Sequence, residues 1–259
     1  MDFDKSIEFV TQNSTDPFDI VRLEFILSQK VPGDEQLENI ILSQRTDGSW
    51  SPFWAEGSSS LDATCYRLAL LEQAGIRKHR VVDQAIDFIS SRMHENGSFE
   101  EDFALKDLCP PWAVPGEVAP TIYITANCAF WINYYTSSVD PRTVTYLNRQ
   151  IKDNGTIPSF LHTYWLIGGL FHSIGMDGEA KPIFQSLVEK CSELSADNLA
   201  WLINTLIASR VDREAEVIRV SASYLSRLQL QDGSWRSDDG AWKDVHTTLE
   251  AIRALRYIG

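Results

Sequence analysis

The chain has 259 residues, 44% of them hydrophobic, which is enough for a large buried core. With 36 acidic against 23 basic residues the net charge is −13, which argues against a surface that tracks nucleic-acid phosphates. Cys65, Cys109, Cys128 and Cys191 are scattered with no C-x-x-C pair, and the longest strongly apolar run, Tyr164 to Phe171, is far short of a membrane span; a soluble cytoplasmic protein with reduced thiols is expected, with neither a disulfide framework nor a zinc cluster.

In chain order, helical periodicity predicts six pairs of helices: about 3–12 with 16–29, 34–44 with 60–75, 80–93 with 121–135, 140–151 with 160–175, 179–193 with 197–210, and 214–230 with 244–258. The first member of each pair is amphipathic and the second is apolar on most sides, the pattern of an outer and an inner helix. Almost no segment alternates as a strand does. The longest gap, about 100–120, carries Pro110, Pro111, Pro115 and Pro120 and is expected as a loop able to fold over one end of the molecule.

A short motif punctuates this series. Gln44-Arg-Thr-Asp47-Gly48-Ser49-Trp50 returns as Gln229-Leu-Gln-Asp232-Gly233-Ser234-Trp235, with weaker copies at Asn96-Gly97-Ser98-Phe99 and Asn154-Gly155-Thr156-Ile157. Each copy follows an outer helix, so Asp/Asn-Gly reads as a helix stop with glycine in the left-handed conformation. Each hairpin buries its apolar side only against its neighbours, and six inner with six outer helices close a double ring. The expected fold is therefore all-α, an (α/α)6 toroid in one domain over residues 1–259.

The motif Q-x-x-D-G-S-W ahead of an inner helix resembles the QW repeats of squalene–hopene cyclase-like and class II terpene cyclase-like proteins, a terpenoid cyclase superfamily whose toroid is shared by protein prenyltransferases. In that family the acid that protonates an alkene is the middle Asp of D-x-D-D-T-A at an inner-helix start. Two degenerate copies stand at that place here: Ser60-Leu61-Asp62-Ala63-Thr64 puts Asp62 on the middle Asp, and Asp244-Val245-His246-Thr247-Thr248 puts His246 there. The resemblance implies an acid-initiated cyclisation of an isoprenoid or other alkene-bearing substrate, with Asp62 as the acid and His246 or Asp244 tuning it or taking the final proton. Asp62 has lost both flanking carboxylates, so an N-cap role for Asp62 and a non-catalytic toroid that holds an apolar ligand or a protein partner stand as alternatives.

Aromatic residues on the inner helices, among them Tyr123, Trp131, Tyr134, Tyr135, Tyr164, Trp165, Phe171 and Trp201, are suited to a hydrocarbon cavity in which π faces steady positive charge. Tyr123, Trp165 and Trp201, near inner-helix starts, are the expected substrate contacts. Asn127 and His162 join them in a polar ring with Asp19, Asp62, Asp197 and His246. No cofactor is called for, apart from Mg2+ if the substrate carries a diphosphate, which Asp238 and Asp239 could help to hold. A zinc-dependent prenyltransferase-like subunit is a further alternative, resting on Asp62, Cys65 and His246; the family's Asp and Cys, however, are one residue closer together.

Overall fold

The computed structural model describes all residues 1–259. The outer helices are α1 (Phe3–Asn13), α3 (Glu38–Ser43), α5 (Arg80–Ser91), α7 (Pro141–Asn148), α9 (Asp177–Lys190) and α11 (Glu216–Arg227). The inner helices are α2 (Pro17–Ser28), α4 (Leu61–Gln73), α6 (Val118–Thr136), α8 (Leu161–Ser173), α10 (Ala196–Ala208) and α12 (Asp244–Ile258). There is no strand, only an isolated bridge between Trp50 and Ser60. No helix is long and apolar enough to cross a membrane.

Each inner helix packs on the next, α2 on α4, α4 on α6, and so on to α12, which returns to α2. The sequence-expected toroid is the observed fold. A core of 56 residues runs through it, and a second cluster, Val10, Leu23, Ile26, Leu249 and Ile252, seals the seam where the first hairpin meets the last helix.

The repeat motif builds the joints between hairpins. In each of the four copies the Asp or Asn side chain accepts the N–H two residues on, at 3.1 Å for Asp47–Ser49 and 3.0 Å for Asn96–Ser98, 3.1 Å for Asn154–Thr156 and 3.0 Å for Asp232–Ser234. The glycine that follows lies against the first turns of the next outer helix. A Cβ on Gly48 would sit 2.2 Å from the Gln84 carbonyl oxygen in α5, and one on Gly233 would sit 2.6 Å from the Lys5 backbone in α1. Trp50 and Trp235 are buried; their indole N–H groups donate to the Ile40 and Leu225 carbonyls, and their backbone N–H groups to Thr64 and Thr248 of the following inner helix. Gln229 closes the ring: it accepts from the Asp2 N–H and donates to the Ser6 hydroxyl oxygen.

Outer and inner helices run antiparallel, so the motif turns and the long connections gather at one end, with the starts of the inner helices. That end carries the candidate site.

Candidate active site at the inner-helix starts

Asp62 lies in the first turn of α4, yet it does not cap the helix. Ser60 is the cap, accepting the Ala63 N–H at 3.1 Å. The remaining first-turn N–H groups go to Glu101, a residue of the long loop: its carboxylate accepts from Leu61 N–H (3.0 Å), Asp62 N–H (2.9 Å) and the Ser60 hydroxyl (2.7 Å). With capping done by others, the Asp62 side chain is left for other partners. The Trp112 indole N–H donates to Oδ2 and the Tyr123 hydroxyl to Oδ1, both at 3.1 Å, and Asn127 donates to that hydroxyl at 3.5 Å.

Burial raises the pKa of Asp62 above the usual carboxylate range, against the opposing pull of the Trp112, Tyr123 and Asn127 donors. Burial also lifts Glu101, to about 7, although Ser60 and the two N–H groups favour its ionised form. The proline-rich loop does fold over this end, and it delivers both Trp112 and Glu101.

Sequence reasoning missed Glu101. A signal for it exists: Glu101 stands two residues after the aromatic of its repeat copy, and the equivalent Ser159 and Ser237 likewise reach back to the start of the preceding inner helix. Ser159 donates to the Ala119 carbonyl in α6 at 2.7 Å, and Ser237 to Asp197 in α10 at 3.2 Å. Only beside α4 is that position a carboxylate.

A cluster of aromatic rings is continuous with Asp62 through Tyr123. The Tyr123 ring lies 6.1 Å from Phe160 and 6.4 Å from His162; His162 stacks on Trp201 at 4.7 Å; Trp165 meets His162 at 5.1 Å and Trp201 at 5.5 Å. His162 is held by Asn198 at 2.8 Å, and burial lowers its pKa, so the ring is neutral near pH 7. The five expected substrate contacts, Tyr123, Asn127, His162, Trp165 and Trp201, thus form one chain across α6, α8 and α10. The Trp165 N–H is buried without a protein partner.

The structure separates other residues from Asp62. His246 accepts from Arg22 Nη1 through Nδ1 (3.1 Å) and its Nε2 lies 3.2 Å from Glu250, so both nitrogens are engaged with α2 and α12, beside Tyr66 of α4. Asp244 accepts the Ser237 N–H at 2.9 Å. Neither makes a hydrogen bond to Asp62; each is held by the partners just named. Asp19 pairs with Arg22, and Tyr164 is a joint residue, donating to and accepting from Ile157. Asp239 is paired with Lys243. The zinc trio does not converge: the Cys65 thiol meets Cys128, and no three His, Cys, Asp or Glu side chains come together in a metal-holding group.

No protein-family model and no curated protein matches the chain. Solved structures do. A protein from Actinoplanes superposes with a TM-score of 0.63 at 17% identity, covering 94% of this chain and 90% of its own. The type II terpene cyclase MstE from Scytonema, in its apo form, superposes with a TM-score of 0.58 at 15% identity, over 93% of this chain and 87% of that one. Variants of MstE have been captured with geranylgeranyl dihydroxybenzoate as substrate, at a TM-score of 0.57 and 16% identity, and with merosterolic acid A as product, at 0.58 and 16%. The chain has the helical toroid seen in these type II terpene cyclases, and at this identity the likeness is one of fold.

Proposed function

We propose that the protein is a terpenoid cyclase-like enzyme in which Asp62 protonates an alkene of an isoprenoid substrate. The observation that carries this reading is the division of labour at α4. Ser60 and Glu101 take over capping, so a carboxyl in the first turn, where an aspartate ordinarily caps, is instead held between an indole N–H and a phenol at the edge of an aromatic wall. The Tyr123 hydroxyl can rotate, so it serves the carboxyl whether protonated or not.

In the proposed step the Asp62 O–H bond breaks and its proton forms a C–H bond with the alkene. The π pair supplies that bond, leaving a tertiary cation and the Asp62 carboxylate. Further alkene pairs then close rings, and loss of a proton ends the sequence. Trp165, Trp201 and Tyr123 would steady the migrating positive charge through their π faces. His162, neutral and stacked on Trp201, adds to that wall. A substrate of the kind MstE binds, an isoprenoid chain on an oxygen-bearing aromatic, suits this lining: the unpartnered Trp165 N–H offers a donor to a substrate oxygen.

The test is product analysis by chromatography and mass spectrometry, with prenylated aromatic acids, polyprenols and polyprenyl diphosphates offered with and without Mg2+. A cyclised isomer is expected from the wild type, falling at least a hundredfold with Asp62→Asn and much less with His246→Ala. Substrates recovered unchanged throughout, from protein shown to bind them, would replace this reading with a toroid that binds an apolar ligand.

A further inference from the structure

An acid at the start of a helix faces a difficulty. The first-turn N–H groups of α4 present positive charge that stabilises a carboxylate and so favours loss of the proton the reaction needs. Glu101 answers this difficulty by its position. It is 2% exposed, and its two oxygens take the Leu61 and Asp62 N–H groups together with the Ser60 hydroxyl, so both the donors and much of the helix-end charge are spent on it.

Resting on the cyclase reading above, we propose that Glu101 is a positioning carboxylate for Asp62: seated on the start of α4, it neutralises the helix end and opposes ionisation of its neighbour, so that the proton resides on Asp62. Three observations favour this division of roles within the pair. Glu101 accepts three short bonds, two of them from helix-end N–H groups, which favour its charged form. It also borders a hollow of about 260 Å³, shared with Ser58, Arg92 and Glu100, in which water can solvate that charge. And the equivalent residues of two other repeat copies are the neutral Ser159 and Ser237, so the carboxylate occurs where an acid needs one.

The other groups facing the Asp62 carboxyl are few: Cys65 on its own helix, Tyr123 and Cys128 on α6, Cys109 of the long loop, and Lys243 ahead of α12. The three thiols and the phenol have their pKa values raised by burial and stay neutral. Lys243, the one cation, is paired with Asp239. Glu101 is therefore the acidic side chain seated against Asp62, on the Asp62 backbone N–H itself.

The experiment is a carbon-13 NMR titration of the full chain labelled at Asp and Glu carboxyls, with Asp62→Asn and Glu101→Gln assigning the two signals. Replacing Glu101 by Gln is expected to raise the acid dissociation constant of Asp62 about tenfold, a midpoint roughly one pH unit lower, while Glu101→Asp keeps it near wild type. In the wild type the two signals share steps, each reporting the other's protonation. Midpoints of Asp62 that coincide in folded wild type and Glu101→Gln would overturn the proposal. If Glu101→Gln does not fold, wild-type signals that titrate independently do so equally. No substrate is used, so this outcome and the product assay fail or succeed separately.

Discussion

Burial and hydrogen bonding pull in opposite directions on the two carboxyls at the start of α4, and the balance has a consequence for stability that needs no substrate. Glu101 has its pKa raised from 4.5 to about 7, so below that pH the native state holds a proton on Glu101 that the unfolded chain releases, and above it Glu101 carries the charge that faces Asp62. Native protein then binds more protons than unfolded protein between those values, and stability falls as pH rises through that window. At about 1.4 kcal/mol per pH unit the loss is bounded by roughly 3 kcal/mol. Urea unfolding of wild type and Glu101→Gln at pH 5 and pH 8 measures it: the variant loses its hydrogen bonds at both values, but its deficit against wild type shrinks at pH 8. A deficit independent of pH would show that Glu101 is not protonated in the native state at pH 5 through this burial. At this scale the sequence was legible only in part. Asp62, Tyr123, His162, Trp165 and Trp201 could be named from the sequence because they sit near the starts of periodic helices, with Asn127 one turn beyond Tyr123. Glu101 and Trp112 come from a proline-rich loop with no period, and only its folding over α4 brings them to Asp62.

The hairpins, in contrast, were legible to within about one helical turn at each end, because helix stops and apolar periodicity are local signals. The inner helix expected at about 244–258 is found at Asp244–Ile258, and the least accurate, the outer helix expected at about 34–44, shrinks to Glu38–Ser43. What the motif could not convey is that its glycine is needed for contact between elements as well as for the turn. Three substitutions separate the two demands. Gly48 has φ +89° and a Cβ there would meet the Gln84 carbonyl of α5 at 2.2 Å, whereas Gly57 has φ +79° and no atom within 4 Å. Gly57→Ala is expected to cost about 1 kcal/mol, the conformational term alone. Gly48→Ala forces α5 from its joint and is expected to cost about 3 kcal/mol, and Gly233→Ala against α1 a similar amount. Equal losses at Gly48 and Gly57 in urea unfolding would assign the motif glycine to its backbone conformation and not to the joint.

At the scale of the whole molecule, a ring of six inner helices leaves a lumen that is open at both ends unless side chains cross it, and here they do so toward the inner-helix ends remote from Asp62. Arg253 of α12 pairs with Glu72 of α4 at 2.5 Å, and Gln73 of α4 donates to Glu250 of α12 at 2.8 Å, both spanning α2, whose buried Arg22 joins Gln73. The Tyr134 hydroxyl of α6 donates to Glu72 at 3.4 Å. Burial alone would raise Glu250, yet the hydrogen bonds from His246 and Gln73 and the charge of Arg22 hold it at about 2, so it stays ionised inside the ring. This polar closure was not read from the sequence, since Arg22, Glu72, Gln73, Glu250 and Arg253 each look like an ordinary polar residue on a helix until the ring brings α2, α4 and α12 together. Removing one partner of such a pair strands a buried charge, which costs about 3–5 kcal/mol, while replacing both with apolar groups of similar size is close to neutral. Glu72→Leu is therefore expected to be severely destabilised, and Glu72→Leu with Arg253→Met to recover most of the loss, giving a coupling energy of about 2 kcal/mol or more in a double-mutant cycle. If the two losses simply add, the pair does not act as a unit across the ring. Because the crossing residues lie away from Asp62, the double variant also reports on the closure itself: a lumen that has lost its polar floor should admit water, and in the cyclase reading water reaching the cation would divert cyclised hydrocarbon to alcohol in the product analysis.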